Sequence, residues 1–216
     1  MVTLTRMTSP PAVRLVLASA SPARLATLRA AGLRPDVVVS GVDESGVQAD
    51  TVAGLTGRLA ALKAEAVAAG LPASPLATLV VGCDSMLELD GVGYGKPGDP
   101  GGAVERWRLM RGRSGVLHTG HHLLLLGGPE PRTTAAVAST TVHFADLDDD
   151  EIEAYVATGE PLQVAGAFTV DGLGGAFVRG IEGDHHAVVG ISLPLLRELV
   201  RELGLRWPDL WSRPAA

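Results

Sequence analysis

The 216-residue chain holds one cysteine, Cys83, so no disulfide can close within it, and cysteine use of this kind points to a reducing compartment. It lacks any apolar run approaching the roughly 20 residues that a membrane-spanning helix requires. Arg6 followed by "VRLVLASA" faintly resembles a signal peptide, but Arg14 interrupts it and the apolar core is too short. Positive charge is not in excess either. With 18 basic and 24 acidic residues the net charge is -6, which argues against a chain built to coat nucleic acid but leaves room for a local cationic pocket. Lysine is nearly absent. Of the 18 basic residues 16 are arginine, and only Lys63 and Lys96 are lysine. Lysine is a compact point charge that fits a phosphate oxygen without a planar fork, so its retention at two places marks both as candidate phosphate contacts.

What is present suits one compact domain. The chain is 46% hydrophobic and 19% charged, and the pattern divides into a flexible N-terminal extension over 1–12, one domain over 13–206 and a C-terminal tail over 207–216. "VRLVLA" (13–18) has the β-branched, apolar character of a strand buried on both faces. "PARLATLRAAG" (22–32) follows as a helix, with Ser21 as N-cap, Pro22 in the first turn and Gly32 as the stop. Strands are expected at 36–40 and 78–89, and helices at 51–70, 100–112, 148–159 and 192–204. "GVLHTGHHLLLLGG" and "TTAAVASTTVHFAD" read as two long strands of a wide hairpin. Early βα units imply parallel strands and the later hairpin antiparallel ones. The expected fold is therefore α/β, a mixed sheet flanked by helices.

Several residue groups could carry chemistry. Ser19, Ser21 and Arg24 sit where "LVLASASPARLATLRAAG" passes from strand to helix. Unpaired N–H groups at that helix start, with the hydroxyls and the guanidinium, would make an anion site; the plainer reading is an ordinary capped turn. "GCDSM" puts Asp84 at the end of an apolar strand, where ligands gather in α/β sheets and where a carboxylate needs a partner, a metal or a proton. Cys83 alternates away from it and reads as a small buried residue. Asp43 and Glu44 form an acidic doublet in a loop, either solvated or serving as hard oxygen ligands for a magnesium ion that carries phosphates. His118 and His122 share one strand face and His121 the other, and no acid or thiol lies at zinc spacing, so the histidines do not read as a zinc site.

In order along the chain these stretches resemble the motifs of Maf-type nucleoside triphosphate pyrophosphatases. The family's S-x-S-P-R-R reads "SASPAR" here, its acidic doublet "VDES", its G-A-D-T "GCDS", its K-P turn "GKPGDP", and its tail motifs "AGAFTVDG" and "HAVVGISLPL". The resemblance runs from about Val13 to Gly204. It implies a fold like that of inosine triphosphate pyrophosphatases, a cytoplasmic homodimer, and metal-dependent cleavage of nucleoside triphosphates to monophosphate and pyrophosphate with Mg2+ or Mn2+. It further implies Asp84 as catalytic carboxylate, Glu44 and Asp84 as metal ligands, and Ser19, Arg24, Lys63, Ser85, Lys96 and Asp171 as substrate contacts. Neither nucleic acid nor membrane is an implied partner. The alternative is a nucleotide-binding regulator of cell division whose hydrolysis is incidental. Three positions depart from the family pattern: Ala23 for an arginine, Ser85 for a threonine and Asp171 for a glutamine. "SPAR" together with "FTVDG" resembles an actinobacterial branch, as does the arginine- and alanine-rich composition.

Overall fold

The computed structural model describes residues 13–211. The expected extension over 1–12 lies outside the described residues, as do the last five residues of the tail. The chain opens with β1 (Arg14–Ala18), α1 (Pro22–Ala30) and β2 (Asp36–Val37). Ser21 caps α1 by accepting from the Arg24 backbone N–H, and Gly32, at φ 83, ends the turn that follows. β2 is shorter than the expected 36–40 because β1 stops at Ala18 and leaves nothing further to pair with. There follow α2 (Val52–Gly70), β3 (Thr78–Leu89), β4 (Val92–Tyr94), α3 (Pro100–Met110), β5 (Ser114–Leu126) and β6 (Arg132–Phe144). α4 (Asp149–Ala157), β7 (Val178–Glu182), α5 (His185–Val189) and α6 (Leu193–Glu202) complete the described fold.

The seven strands form one sheet in the order β2-β1-β3-β5-β6-β7, with β4 paired to β3 beside that path. β2, β1 and β3 run parallel, and β3, β5, β6 and β7 antiparallel, which is the expected mixed sheet. β4 and α5 escape the sequence pattern because each is too short to show a period.

Alternation along β3 separates two packed layers. Val16, Ala18 and Val80 pack against Ala64 and Val67 of α2. On the opposite face Leu15, Leu17, Leu79 and Val81 meet α6 through Leu196, Leu199 and Val200. Further along that face Leu87 and Leu89 join an aromatic cluster in which Trp107 meets Phe144, Tyr155 and Phe177 edge to face. Trp207–Leu210 forms a 3-10 turn, and Leu210 is buried in the α6 core because an apolar side chain there gains more from burial than from solvent.

α2 lies unusually close to the sheet. A Cβ on Gly82 would sit 2.3 Å from the Ala60 carbonyl oxygen, and one on Gly120 would sit 2.4 Å from that of Thr56. Neighbouring glycines on β3 and β5 thus let the helix backbone rest directly on the strands.

His121 is the one buried histidine held between two backbone partners. Its Nε2 accepts from the Ser192 N–H at 2.9 Å, so the proton resides on Nδ1, which donates to the Thr119 carbonyl at 3.0 Å. Burial first, and then the nearby Arg24 charge, lower its pKa from 6.5 to about 4. The unfolded chain takes up this proton as pH falls through 6.5, whereas the folded one resists it down to about 4. Stability is therefore full above pH 6.5 and lost across that window, by about 3 kcal/mol. Urea unfolding midpoints measured from pH 7 to 4 should drop less steeply for His121→Gln, which keeps an acceptor for Ser192. Parallel pH curves would assign the acid sensitivity elsewhere.

Candidate active site

The site arises where β1 ends. β1 pairs with β3 only as far as Gly82, and β4 takes up the same edge of β3 from Leu87. Between them the β3 edge is open. The loops after β1 and β2, the turn after β4, and the chain around 163–171 and 188–190 wall off a cleft of about 960 Å³ there. Ser19, Arg24, Glu44, Lys63, Asp84, Ser85, Lys96 and Asp171 all line it, so the eight residues that the family resemblance implies for the site lie in one cleft. Asp84 does not stand at a strand end as expected. It lies within the twelve-residue β3, and it is β1 that ends beside it.

The close seat of α2 brings Lys63 to Asp84. Its ammonium lies 2.6 Å from Asp84 Oδ1 and 3.0 Å from Glu44 Oε1, with the lysine and aspartate side chains only 14% and 12% exposed. Two carboxylates thus converge on one point. Asp84 Oδ2 has no hydrogen-bond partner among the described residues and is free to meet a water or a ligand. The acidic doublet divides: Glu44 turns into the cleft, whereas Asp43 Oδ1 accepts from the Ser45 N–H, which draws its carboxyl below the usual range. Lys96 is exposed and forms no ion pair among the described residues, so its charge is open to the cleft.

Arg24, expected as a substrate contact, lines the cleft with most of its donors already engaged within the protein. Nε donates to the Gly190 carbonyl, Nη1 to Ser19 Oγ and the Cys83 carbonyl, and Nη2 to Ser85 Oγ, all at 2.7–3.0 Å. Four of the five N–H groups of a guanidinium are thereby committed to protein acceptors. Arg24 is buried and acts as a strut that ties α1, the open β3 edge and the end of α5 together. Cys83, fully buried, has its thiol pushed up to about 11 by burial, as befits a packing residue.

Two positions passed unnoticed in the sequence. Thr119 Oγ1 contacts Ser85 Oγ at 2.9 Å and donates to the Ala187 carbonyl at 2.9 Å. The histidines of "HTGHH" masked it. Glu160, just past α4, accepts from Tyr155 Oη, Thr169 Oγ1 and the backbone N–H groups of Leu173 and Gly174. Burial raises its pKa, but the bonds from Thr169, Gly174, Leu173 and Tyr155 outweigh that and hold it below the ordinary value. The loop it cinches carries Asp171 into the cleft. A glutamate next to a proline in a polar turn carries no sequence signal of this role.

The profile of the family described as Maf-like protein matches residues 14–203. The chain is 62% identical to the nucleoside triphosphate pyrophosphatase of Salinispora tropica, over 93% of this chain and 88% of that protein. It is 54% identical to the protein of the same name from Streptomyces coelicolor, over 95% and 98%, and 54% identical to that from Nocardia farcinica, over 93% and 98%. A match across nearly the whole chain, with the family's motif residues gathered in one cleft, places the protein in the Maf family.

Proposed function

We propose that the protein hydrolyses the α–β phosphoanhydride of a nucleoside triphosphate. The observation that carries this reading is the Lys63–Asp84–Glu44 constellation on the open β3 edge, with one carboxylate oxygen of Asp84 free. Asp84 orients a water toward the α-phosphorus and accepts its proton; the new P–O bond forms as the bond to the bridging oxygen breaks. Pyrophosphate leaves and the nucleoside monophosphate remains. Lys96, from the open side, and Lys63 balance the phosphate charge and hold the chain in line. Ser19 and the N-terminus of α1 offer donors to the same anion.

Glu44 and Asp84 fit a divalent cation. Each carboxylate spends one oxygen on the Lys63 ammonium, within 3.0 Å, which leaves Asp84 Oδ2 and Glu44 Oε2 to reach an ion beside it. Among the described residues no three acidic, histidine or cysteine side chains converge. Two carboxylates completed by substrate phosphates are what Mg2+ or Mn2+ accepts, and such an ion would supply charge neutralisation at the phosphates. The test is a panel of triphosphates, with magnesium, with manganese and with chelator. Monophosphate plus pyrophosphate, lost on chelation, is expected; orthophosphate as first product overturns the reading. The cytoplasmic homodimer implied by the family resemblance is checked, for the dimer, by light scattering.

Ser85 and Asp171 face the base in this reading. Asp171 is exposed in the cleft without a hydrogen-bond partner among the described residues, and an ionised carboxylate only accepts. A guanine edge, with N1–H beside a 2-amino group, suits it better than the carbonyl-rich edges of uracil and thymine. Asp171→Gln is expected to shift relative kcat/KM toward uridine or thymidine triphosphate by about tenfold, since an unmatched polar group costs about 1–3 kcal/mol. An unchanged ratio would mean that Asp171 does not read the base.

A further inference from the structure

Hydrogen-bond direction around Ser85 is fixed by its neighbours. Arg24 Nη2 can only donate, so Ser85 Oγ accepts from it at 3.0 Å. The Ala187 carbonyl can only accept, so the single hydroxyl hydrogen of Thr119 is spent on it. The hydrogen in the 2.9 Å contact between Ser85 and Thr119 therefore belongs to Ser85. Ser85 is left with one lone pair and no hydrogen for a ligand. Thr119 is fully buried and does not line the cleft, whereas Ser85 is partly exposed and does.

We propose that Thr119 is a positioning residue that makes Ser85 a pure acceptor toward the cleft, and thereby biases the site toward bases that present hydrogen-bond donors. This rests on the reading that Ser85 faces the base. It extends the acceptor character of Asp171 to a second, independently oriented group: two acceptor-only positions line one cleft. A base with adjacent N–H and amino groups can satisfy both, and a base whose one N–H lies between two carbonyls cannot do so without opposing lone pairs.

The experiment compares kcat/KM for guanosine and uridine triphosphates in the wild type and in Thr119→Val, Thr119→Ser and Ser85→Ala, with melting curves and product identification for each. Valine keeps the shape but takes away the acceptor for the Ser85 hydrogen, which is then released into the cleft. The guanosine-to-uridine ratio is expected to fall about tenfold in Thr119→Val and in Ser85→Ala, and to stay at the wild-type value in Thr119→Ser. If valine prevents folding, Thr119→Cys, a weaker acceptor of similar size, should move the ratio in the same direction by less. A ratio that falls in Ser85→Ala but not in the folded Thr119 variants overturns the proposal and leaves Ser85 as a base contact. Equal losses for both nucleotides, with no change of ratio, reduce Thr119 to a packing role. A ratio unmoved by any variant, with monophosphate and pyrophosphate still the products, removes Ser85 from base recognition without touching the hydrolytic reading.

Discussion

Asp84→Asn is expected to give a folded protein whose turnover is lower by about 10²–10⁴-fold, the usual cost of losing a general base. The amide keeps the shape of the carboxylate and can still present an oxygen to Lys63, 2.6 Å away. Its nitrogen, standing where Oδ2 is free, brings hydrogens and cannot take a proton from water. Lys63 retains its second partner, Glu44, so the cluster does not fall apart. Single-turnover rates, a melting curve and nucleotide affinity by calorimetry separate the outcomes: a normal melt and near-normal affinity with lost chemistry are expected. A near-normal rate would take Asp84 out of the catalytic role.

Lys63→Ala is expected to cost about 10²–10³-fold, comparable to the loss of a charge-stabilising donor in other sites. Its removal also leaves Glu44 and Asp84 facing each other with no cation between them, and like charges at such range disfavour joint ionisation. Arginine should recover little at this position. The ammonium fills a gap between two carboxylates, with the side chain 14% exposed, and a planar guanidinium needs more room than a helix resting on the sheet backbone can yield. Lys96 is a different case. It is exposed and unpaired among the described residues, so Lys96→Arg should recover most of what Lys96→Ala loses. Composition alone treats the two lysines alike; their surroundings separate them. Full activity in Lys63→Arg would strip the scarcity of lysine of meaning.

The elements with strong local signals were legible. β3 runs over the expected 78–89, because a long apolar, β-branched run ending at Asp90-Gly91 has no competing reading. The start of α4 was legible through the acids gathered at its positive end, where Asp148 and Glu151 form a reciprocal capping box. The eight residues expected at the site all line one cleft: Lys63 and Lys96 stood out through the scarcity of lysine, Asp84 through its apolar strand, and the others mainly as members of ordered motifs. What could not be read was direction. Nothing local tells that β1 ends beside Asp84, since that depends on where a strand distant in sequence stops pairing. Nothing local tells that Arg24 points inward: its acceptors at Gly190 and Cys83 lie 166 and 59 residues away. The same holds for Glu160, whose partners at Leu173 and Gly174 meet it only through the folded loop.

The bare-backbone contact between α2 and the glycines of β3 and β5 has a consequence for how the enzyme can diversify. Asp84 and Lys63 are registered by main chain against main chain, with no side chain between them to trim or enlarge. Ser85 is the next residue on the same strand, yet it faces the opposite layer and answers to Arg24 and Thr119, while Asp171 hangs on a loop cinched by Glu160. On the proposed reading, substitutions that retune those neighbours are expected to leave the Lys63–Asp84 pair in place. A library that varies Thr119, Asp171 and the cinched loop should yield altered base preference at preserved intrinsic rate. One that varies Gly82 or Gly120 should yield inactive proteins whatever the nucleotide. On the proposed reading the strand thus keeps the residues of hydrolysis apart from those of base preference.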